Sequence, residues 1–448
     1  MTDDQSNRSV STPADSDSRT TTPDGGVQKA RFEDVNWDQI DSESRGRPLK
    51  SKIWIAVVSV WALGFGGNLF VRYIMGESFV SNQLGPLQDI LDPTVVNAIP
   101  LLSLSEGWVS FPVIGVVQLH NWLWLMTLAG FIYYGAVPLY ENPRMTRYYW
   151  RRFRRNKAAV ISGLFLAVIF IIGFVGSRVT AQPKSRPGMD GIPPVGVSTE
   201  SYNVGPAGQE ALGCASSNIC TGTWEFPFGT TTGGEDILIG VIHGMEISMM
   251  VGLTATALSV VIAAAVALVG VYYGGLVDEI AFRWVDIQLT FPAFFLYLLL
   301  VYTIGGSLFI LIFIFGFIEW GGGARLMRSE ALQRREEPYI TASKAAGASG
   351  LWTIRRHLLP NISNTIITYA SLSIPAIILA EAALSFLGLG DPTVTSWGQL
   401  ITDGRSSLRS LWWVSTIPGV FLFLTVLSFN FLGDALRDAI DPRHEGAE

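Results

Sequence analysis

Few of the residue types that do covalent chemistry stand where they could act together in this chain. The four histidines, His120, His243, His357 and His444, are scattered and form no H-E-x-x-H or other paired metal spacing. Each reads as an interfacial or solvated side chain. There is no G-x-x-x-x-G-K-[ST] phosphate loop, so the chain is expected neither to hydrolyse ATP nor to hold a metal or cofactor of its own. "GTTTGGEDIL" (229–238) is glycine-rich but lacks the lysine of a phosphate cradle, and reads as a flexible turn before a helix. The only two cysteines, Cys214 and Cys220 in "GCASSNIC", are either two thiols or a disulfide. An exported position favours the disulfide, which would pin a local turn and add little to the whole chain. Glu381, in "ILAEAALSFLGLG", is an ionisable group in an apolar run, where an unpaired charge costs at least about 2.5 kcal/mol. It must meet a polar cavity, a structural hydrogen bond or an interfacial position.

One stretch is polar without being catalytic: "EPYITASKAAGASGLWTIRRHLLPN", residues 337–361, set between two long apolar runs. Pro338 suits a first helical turn. From there Tyr339, Ala342, Ala346 and Ser349 share a face, with Ala345 beside them. That face is nearly all small, with Tyr339 as its one large side chain. Gly347 and Gly350 permit a sharp change of direction. Leu351, Ile354, Leu358 and Leu359 then form an apolar stripe beneath Arg355 and Arg356, as in a helix lying at a membrane interface, and Pro360 ends it. The pattern alone leaves two readings: a docking element for an energy-supplying partner, or an amphipathic linker.

The elements around these residues are set by composition. Of 448 residues, 49% are hydrophobic and 15% charged, against a usual charged share of about 25%. Apolar runs near the roughly 20 residues that cross a bilayer recur along the chain, and they imply helices, not open strands. Eight spanning helices are predicted, near 53–73, 119–140, 158–176, 247–272, 292–304, 308–320, 366–389 and 412–432. The apolar stretch around Glu106 and Pro112 reads as a re-entrant or interfacial piece. Pro375 and Pro418 are expected to kink their helices. Lys and Arg crowd the links at 144–157 and 325–356, which places both links and the two termini in the cytoplasm. Residues 1–50, rich in Ser, Thr, Asp and Pro, are expected to be a disordered cytoplasmic tail. A net charge of −6 argues against a nucleic-acid partner.

The 337–361 stretch resembles the EAA loop of ABC-importer permeases. The Glu-Ala-Ala slot reads Thr341, Ala342, Ser343, followed in register by Gly347 and by Leu359 and Pro360. The missing Glu puts a salt bridge at that position in doubt, but not the helix. "RRFRRNKAAVISGLFLAVI", "FPFGTTTGGEDILIGVIHGMEISMMVGL", "GGLVDEIAFRWVDIQLTFPAFF", "LAEAALSFLGLG", "SWGQLI" and "FNFLGDALRDAIDPR" are similar to the dipeptide/oligopeptide permease C-type subunit over roughly 144–443. One departure is "TTTGGEDILIG", where the family usually carries more mixed charge.

The resemblance implies an all-α polytopic membrane protein, a six-helix permease core with about two extra N-terminal transmembrane helices. Its parts would be a tail (1–50), a membrane extension (51–143), the core (144–443) with an exported loop (177–245) and a cytoplasmic coupling loop (321–365), and a short C-terminal tail (444–448). It implies a B-type permease subunit as heterodimer partner, two cytoplasmic ABC ATPase subunits carrying ATP and Mg, and an extracellular substrate-binding protein, all at the lipid of the cell membrane. Tyr339, Ala342, Ala345, Ala346, Gly347, Ser349, Gly350 and Pro360 would then belong to the ATPase-coupling helix and its closing turn. Dipeptides or oligopeptides are the implied cargo, with nickel chelates or oligosaccharides as alternatives. A secondary transporter would call for inverted repeats and more paired intramembrane charges, and neither is evident. A membrane-anchored scaffold acting through its tail is the third reading.

Overall fold

The computed structural model describes residues 49–70 and 119–440. Most of the expected tail, the segment around Glu106 and the last residues, His444 among them, lie outside the described residues. Contacts divide the chain into Met1–Val57 and Val58–Glu448. Of the first unit only the opening turns of helix α1 (Leu49–Phe70) are described.

The second unit is built of helices because its long runs carry no charge and must satisfy their own backbone groups. In order these are α2 (Leu119–Glu141), α3 (Pro143–Phe153), α4 (Lys157–Val179), α5 (Pro206–Ala211), α6 (Ile237–Tyr273), α7 (Gly275–Thr290), α8 (Ala293–Ile304), α9 (Leu308–Ile318), α10 (Trp320–Arg335), α11 (Pro338–Ala345), α12 (Gly350–Thr353), α13 (Ser363–Phe386), α14 (Trp397–Gly404) and α15 (Trp412–Ile440). Among the described residues, α1 and six helices of this unit are long and apolar enough to cross a membrane. The bent pair α7 and α8 makes an eighth if it is a single span.

Several helices differ from their sequence-based bounds; α15, for one, runs past the predicted 432 to Ile440. The fourth predicted span starts at Ile237, not near Ile247. Asp236 caps it, accepting from Leu238 N at 2.8 Å, so residues 237–245 are helix and the loop before them is shorter than 177–245. The segment predicted as a fifth span, 292–304, is one arm of a pair bent by 76°. Its 12 residues reach only about 18 Å, and the break falls at Pro292, which has no N–H for a continuing helix. The sixth span does not stop at Trp320 but continues as α10 to Arg335. Three of the arginines that made that stretch look like a loop are paired. Arg328 forks onto Asp278 of α7, Arg325 meets Asp286 at 2.5 Å, and Arg334 meets Glu330 at 2.7 Å. At the α9–α10 junction the freed carbonyls are satisfied as well: Gln288 Nε2 donates to Phe317 O and Ile318 O, and Tyr369 donates to Glu319 O at 2.6 Å.

The loop between α4 and α6 has a small core of its own. Ile192, Val204 and Phe226 are buried with Cys214 and Cys220, which are joined as a disulfide. Strands β1 (Ser198–Glu200) and β2 (Ile219–Thr221) pair antiparallel, Thr199 opposite Cys220. The "GTTTGGEDIL" turn, expected to be flexible, is knitted into this cap. Thr230 Oγ1 accepts from Ile192 N and donates to Met189 O, Thr231 Oγ1 accepts from Gly233 N and Glu235 N, and Trp413 Nε1 donates to Thr230 O.

Candidate functional site

At the far end of α6 from this cap, the 337–361 stretch folds onto the bundle. Pro338 opens α11 at its first turn. The helix stops where Gly347 takes a left-handed conformation, φ +81°. Ala348 N donates to Ser343 O at 3.1 Å and Gly347 N to Lys344 O at 3.0 Å, which satisfies the last carbonyls of the helix. Ser349 and Gly350 then redirect the chain into α12. Gly350 lies against the Tyr272 ring, where a Cβ would sit 2.7 Å from ring carbon. Lys344 reaches over the same ring at 4.9 Å from its centre.

One side of this stretch is rooted. Ile340, Ile354, Leu358 and Ile362 are buried with Ala267 and Val271 of α6 and with Ala324, Met327 and Ala331 of α10. After α12 the chain takes a π turn, Ile354–Leu358, in which the wider ring changes the phase of the side chains. Leu351, expected in the apolar stripe, is instead 75% exposed, while Ile354 and Leu358 face the bundle. Leu359 is partly buried, and Arg355 and Arg356 are exposed.

The other side is open. Tyr339, Ala342, Ser343, Ala346, Gly347, Ala348, Ser349, Trp352 and His357 line a shallow concavity of about 650 Å³. Its walls are small side chains and backbone, and its rim is aromatic. The His357 ring centre lies 5.8 Å from that of Tyr339 and 5.1 Å from that of Trp352. Burial pushes the Tyr339 phenol above its usual value, against the pull of nearby Arg334. No side chain lining the groove carries a carboxylate, lysine or arginine, so what it can do is hold an apolar, close-fitting surface.

Of the residues singled out in sequence, Tyr339, Ala342, Ala346, Gly347 and Ser349 line this groove. Ala345 is exposed outside it, Gly350 packs beneath it on Tyr272, and Pro360 is exposed beyond the π turn. Trp352 and His357 were not foreseen there; His357 lies inside the π turn, where a 3.6-residue period does not survive. Thr341, in the slot where the EAA pattern has Glu, is exposed.

Glu381 lies elsewhere, in α13, and is 1% exposed. Its Oε1 accepts from Ser385 Oγ at 2.8 Å. Its Oε2 is buried without a hydrogen-bond partner among the described residues, and it lines no part of the groove. Close by, Tyr297 donates to Leu389 O at 2.8 Å. Asp391 accepts from Leu308 N, Thr393 N and Thr393 Oγ1, and Ser396 and Gln399 form a capping box on α14. The "LSFLGLGDPTVTSWGQL" stretch is thus a fastened corner joining α13, α9 and α14.

Comparison with known proteins bears on the same residues. Residues 246–446 match the model for the binding-protein-dependent transport system inner membrane component. Residues 145–194 match the N-terminal TM domain of oligopeptide transport permease C. The chain is 34% identical over 294 residues to the oligopeptide transport system permease protein OppC of Haemophilus influenzae, covering 65% of this chain and 87% of that one. The chain belongs to this permease family. OppC of Escherichia coli K12 is 38% identical over 217 residues, 48% of this chain and 72% of its own length. The dipeptide transport system permease protein DppC of Bacillus subtilis is 32% identical over 296 residues, 66% of this chain and 84% of its own. As a permease of this family the protein is a multi-pass component of the inner membrane. The groove lies inside the span of the first family match, and α3 together with α4 opens the second.

Proposed function

We propose that the chain is the C-type permease subunit of an ATP-driven importer and moves dipeptides or oligopeptides handed over by an external binding protein. The relatives named for oligopeptide and dipeptide transport support that cargo over nickel chelates or oligosaccharides. A homologous B-type permease completes the path, and two cytoplasmic ATPase subunits supply ATP and Mg, so this chain needs no cofactor. The termini and the 337–361 stretch face the cytoplasm, and the disulfide-closed cap faces outward.

The observation that carries the reading is the two-sidedness of 337–361: an open, uncharged groove on one side, and Ile340, Ile354 and Leu358 sunk between α6 and α10 on the other. An ATPase surface seated in the groove moves as its subunit closes on ATP. The buried side leaves no slack, because packed interiors resist deformation, so the displacement passes to α6, whose 37 residues run from this end of the bundle to the cap. That biases a two-state bundle between inward-facing and outward-facing arrangements. Vesicles holding the complete complex are expected to accumulate peptide only with ATP and binding protein. Equal uptake on an ion gradient without ATP contradicts the proposal.

A further inference from the structure

Helix α3 is not used by this mechanism. It lies between the end of α2 at Glu141 and the start of α4 at Lys157, two helices long and apolar enough to span, so both its ends are fixed at one membrane surface. Successive residues of a helix turn by about 100°. On that spacing Arg144, Arg147 and Arg151 share one face, with Tyr148 and Arg152 beside them, while Met145, Tyr149, Trp150 and Phe153 occupy the other. Phe153 is half-buried against Gly163 of α4, but Trp150 is 55% and Met145 49% exposed.

Several cations of the bundle are paired, although among the described residues Arg355 and Arg356 of the groove stretch are not. Arg283, Arg325, Arg328 and Arg334 each meet a carboxylate. Arg144, Arg147, Arg151, Arg154, Arg155 and Lys157 are exposed, and none of them forms a salt bridge among the described residues. Nor does any Asp or Glu occur between Glu141 and Asp190 in sequence. A row of unpaired guanidinium groups backed by an exposed Trp and Met is the pattern of a helix lying in the headgroup layer, apolar side toward the acyl chains.

We infer that α3 with the Arg154–Lys157 turn is a binding site for anionic phospholipid headgroups, fixing the N-terminal end of the permease core to a negatively charged leaflet. Guanidinium groups pair with phosphate oxygens in a forked geometry that ammonium groups do not match, and the tryptophan supplies the interfacial anchor. The inference stands apart from the transport reading, because lipid binding is measured without substrate, ATP or partners.

The test uses the full chain purified in neutral detergent and titrated with phosphatidylglycerol, phosphatidylcholine or inorganic phosphate, with retained lipid counted by native mass spectrometry. Phosphatidylglycerol is expected to bind in clear preference to phosphatidylcholine, and the preference is expected to weaken as salt rises. Replacing Arg144, Arg147 and Arg151 together by Gln is expected to lower phosphatidylglycerol affinity by about fivefold per cation removed. The same three positions as Lys should recover the share that charge alone supplies, and fall between wild type and the Gln variant. No headgroup preference in the wild type, a preference indifferent to salt, Gln and Lys variants equally weakened, or inorganic phosphate displacing the lipid at equal concentration would each overturn the site.

Discussion

The two stretches that leave the bundle at opposite ends of α6 are built differently. The cap before α6 closes on itself: Ile192, Val204 and Phe226 form its core, a disulfide joins Cys214 to Cys220, and threonine hydroxyls take up the backbone of its turns. The 337–361 stretch has no core of its own. It borrows one from α6 and α10 and leaves its remaining surface as a groove. The cap has a core of its own besides the ties that Trp413 and Phe421 make to it, whereas the groove can keep its shape only while its root stays seated. A region that transmits movement should therefore be sensitive at its buried side, and a self-contained cap should fail locally.

The largest break in this contrast is expected from Leu358→Ala. Leu358 is fully buried in the root, and the cavity left there destabilises by about 3 kcal/mol. ATP-driven uptake by the reconstituted complex should fall steeply. Leu351→Ala, at a position 75% exposed, should stay near wild type, and equal losses in the two variants would erase the distinction between root and rim. Next in size, Cys214→Ser with Cys220→Ser opens a loop of sequence separation 6, worth roughly 2 kcal/mol of loop entropy. Hydrogen exchange should speed up in the cap around 189–231 and stay unchanged in 338–358. Faster exchange at the groove would mean the two ends are coupled through this bond.

The smallest effect is electrostatic. Burial, and then the nearby Asp403 charge, push the Glu235 carboxyl above its ordinary value. The folded cap therefore holds this proton more tightly than the unfolded chain does. The resulting destabilisation is absent at acid pH and grows as pH rises from the unfolded value, about 4.3, through the folded one. Glu235→Gln should unfold at a higher temperature than wild type at pH 7 and at the same temperature near pH 4. A difference that does not shrink on acidification contradicts this account of Glu235.

Much of the bundle was legible in sequence because uncharged runs of spanning length have one outcome in lipid. The misses have physical causes. The extension of α6 back to Ile237 rests on the Asp236 cap, which looks like loop sequence. Helix α10 looks like loop too, until its arginines find Asp278 and Asp286 on α7, a pairing no linear reading reveals. In the groove, the turn at Gly347 and the small face of α11 follow from residue type. His357 does not, because it lies within the π turn at Ile354–Leu358, nor does Trp352, whose place depends on the path of the chain through Ser349 and Gly350. The core of the cap depends on contacts between residues as far apart as Ile192 and Phe226, which leave no periodic trace.

The claim that the groove receives an ATPase subunit is tested most directly at Gly347. An added Cβ there meets nothing within 4 Å, and Asp tolerates a left-handed backbone better than most residues, at about 1 kcal/mol. Gly347→Asp thus adds a charge to the groove with little effect on the fold. In the reconstituted complex the variant chain should insert and pair normally, while its association with the ATPase subunits and the ATP hydrolysis stimulated by loaded binding protein fall to background. Stimulated hydrolysis equal to wild type in that variant would contradict the account.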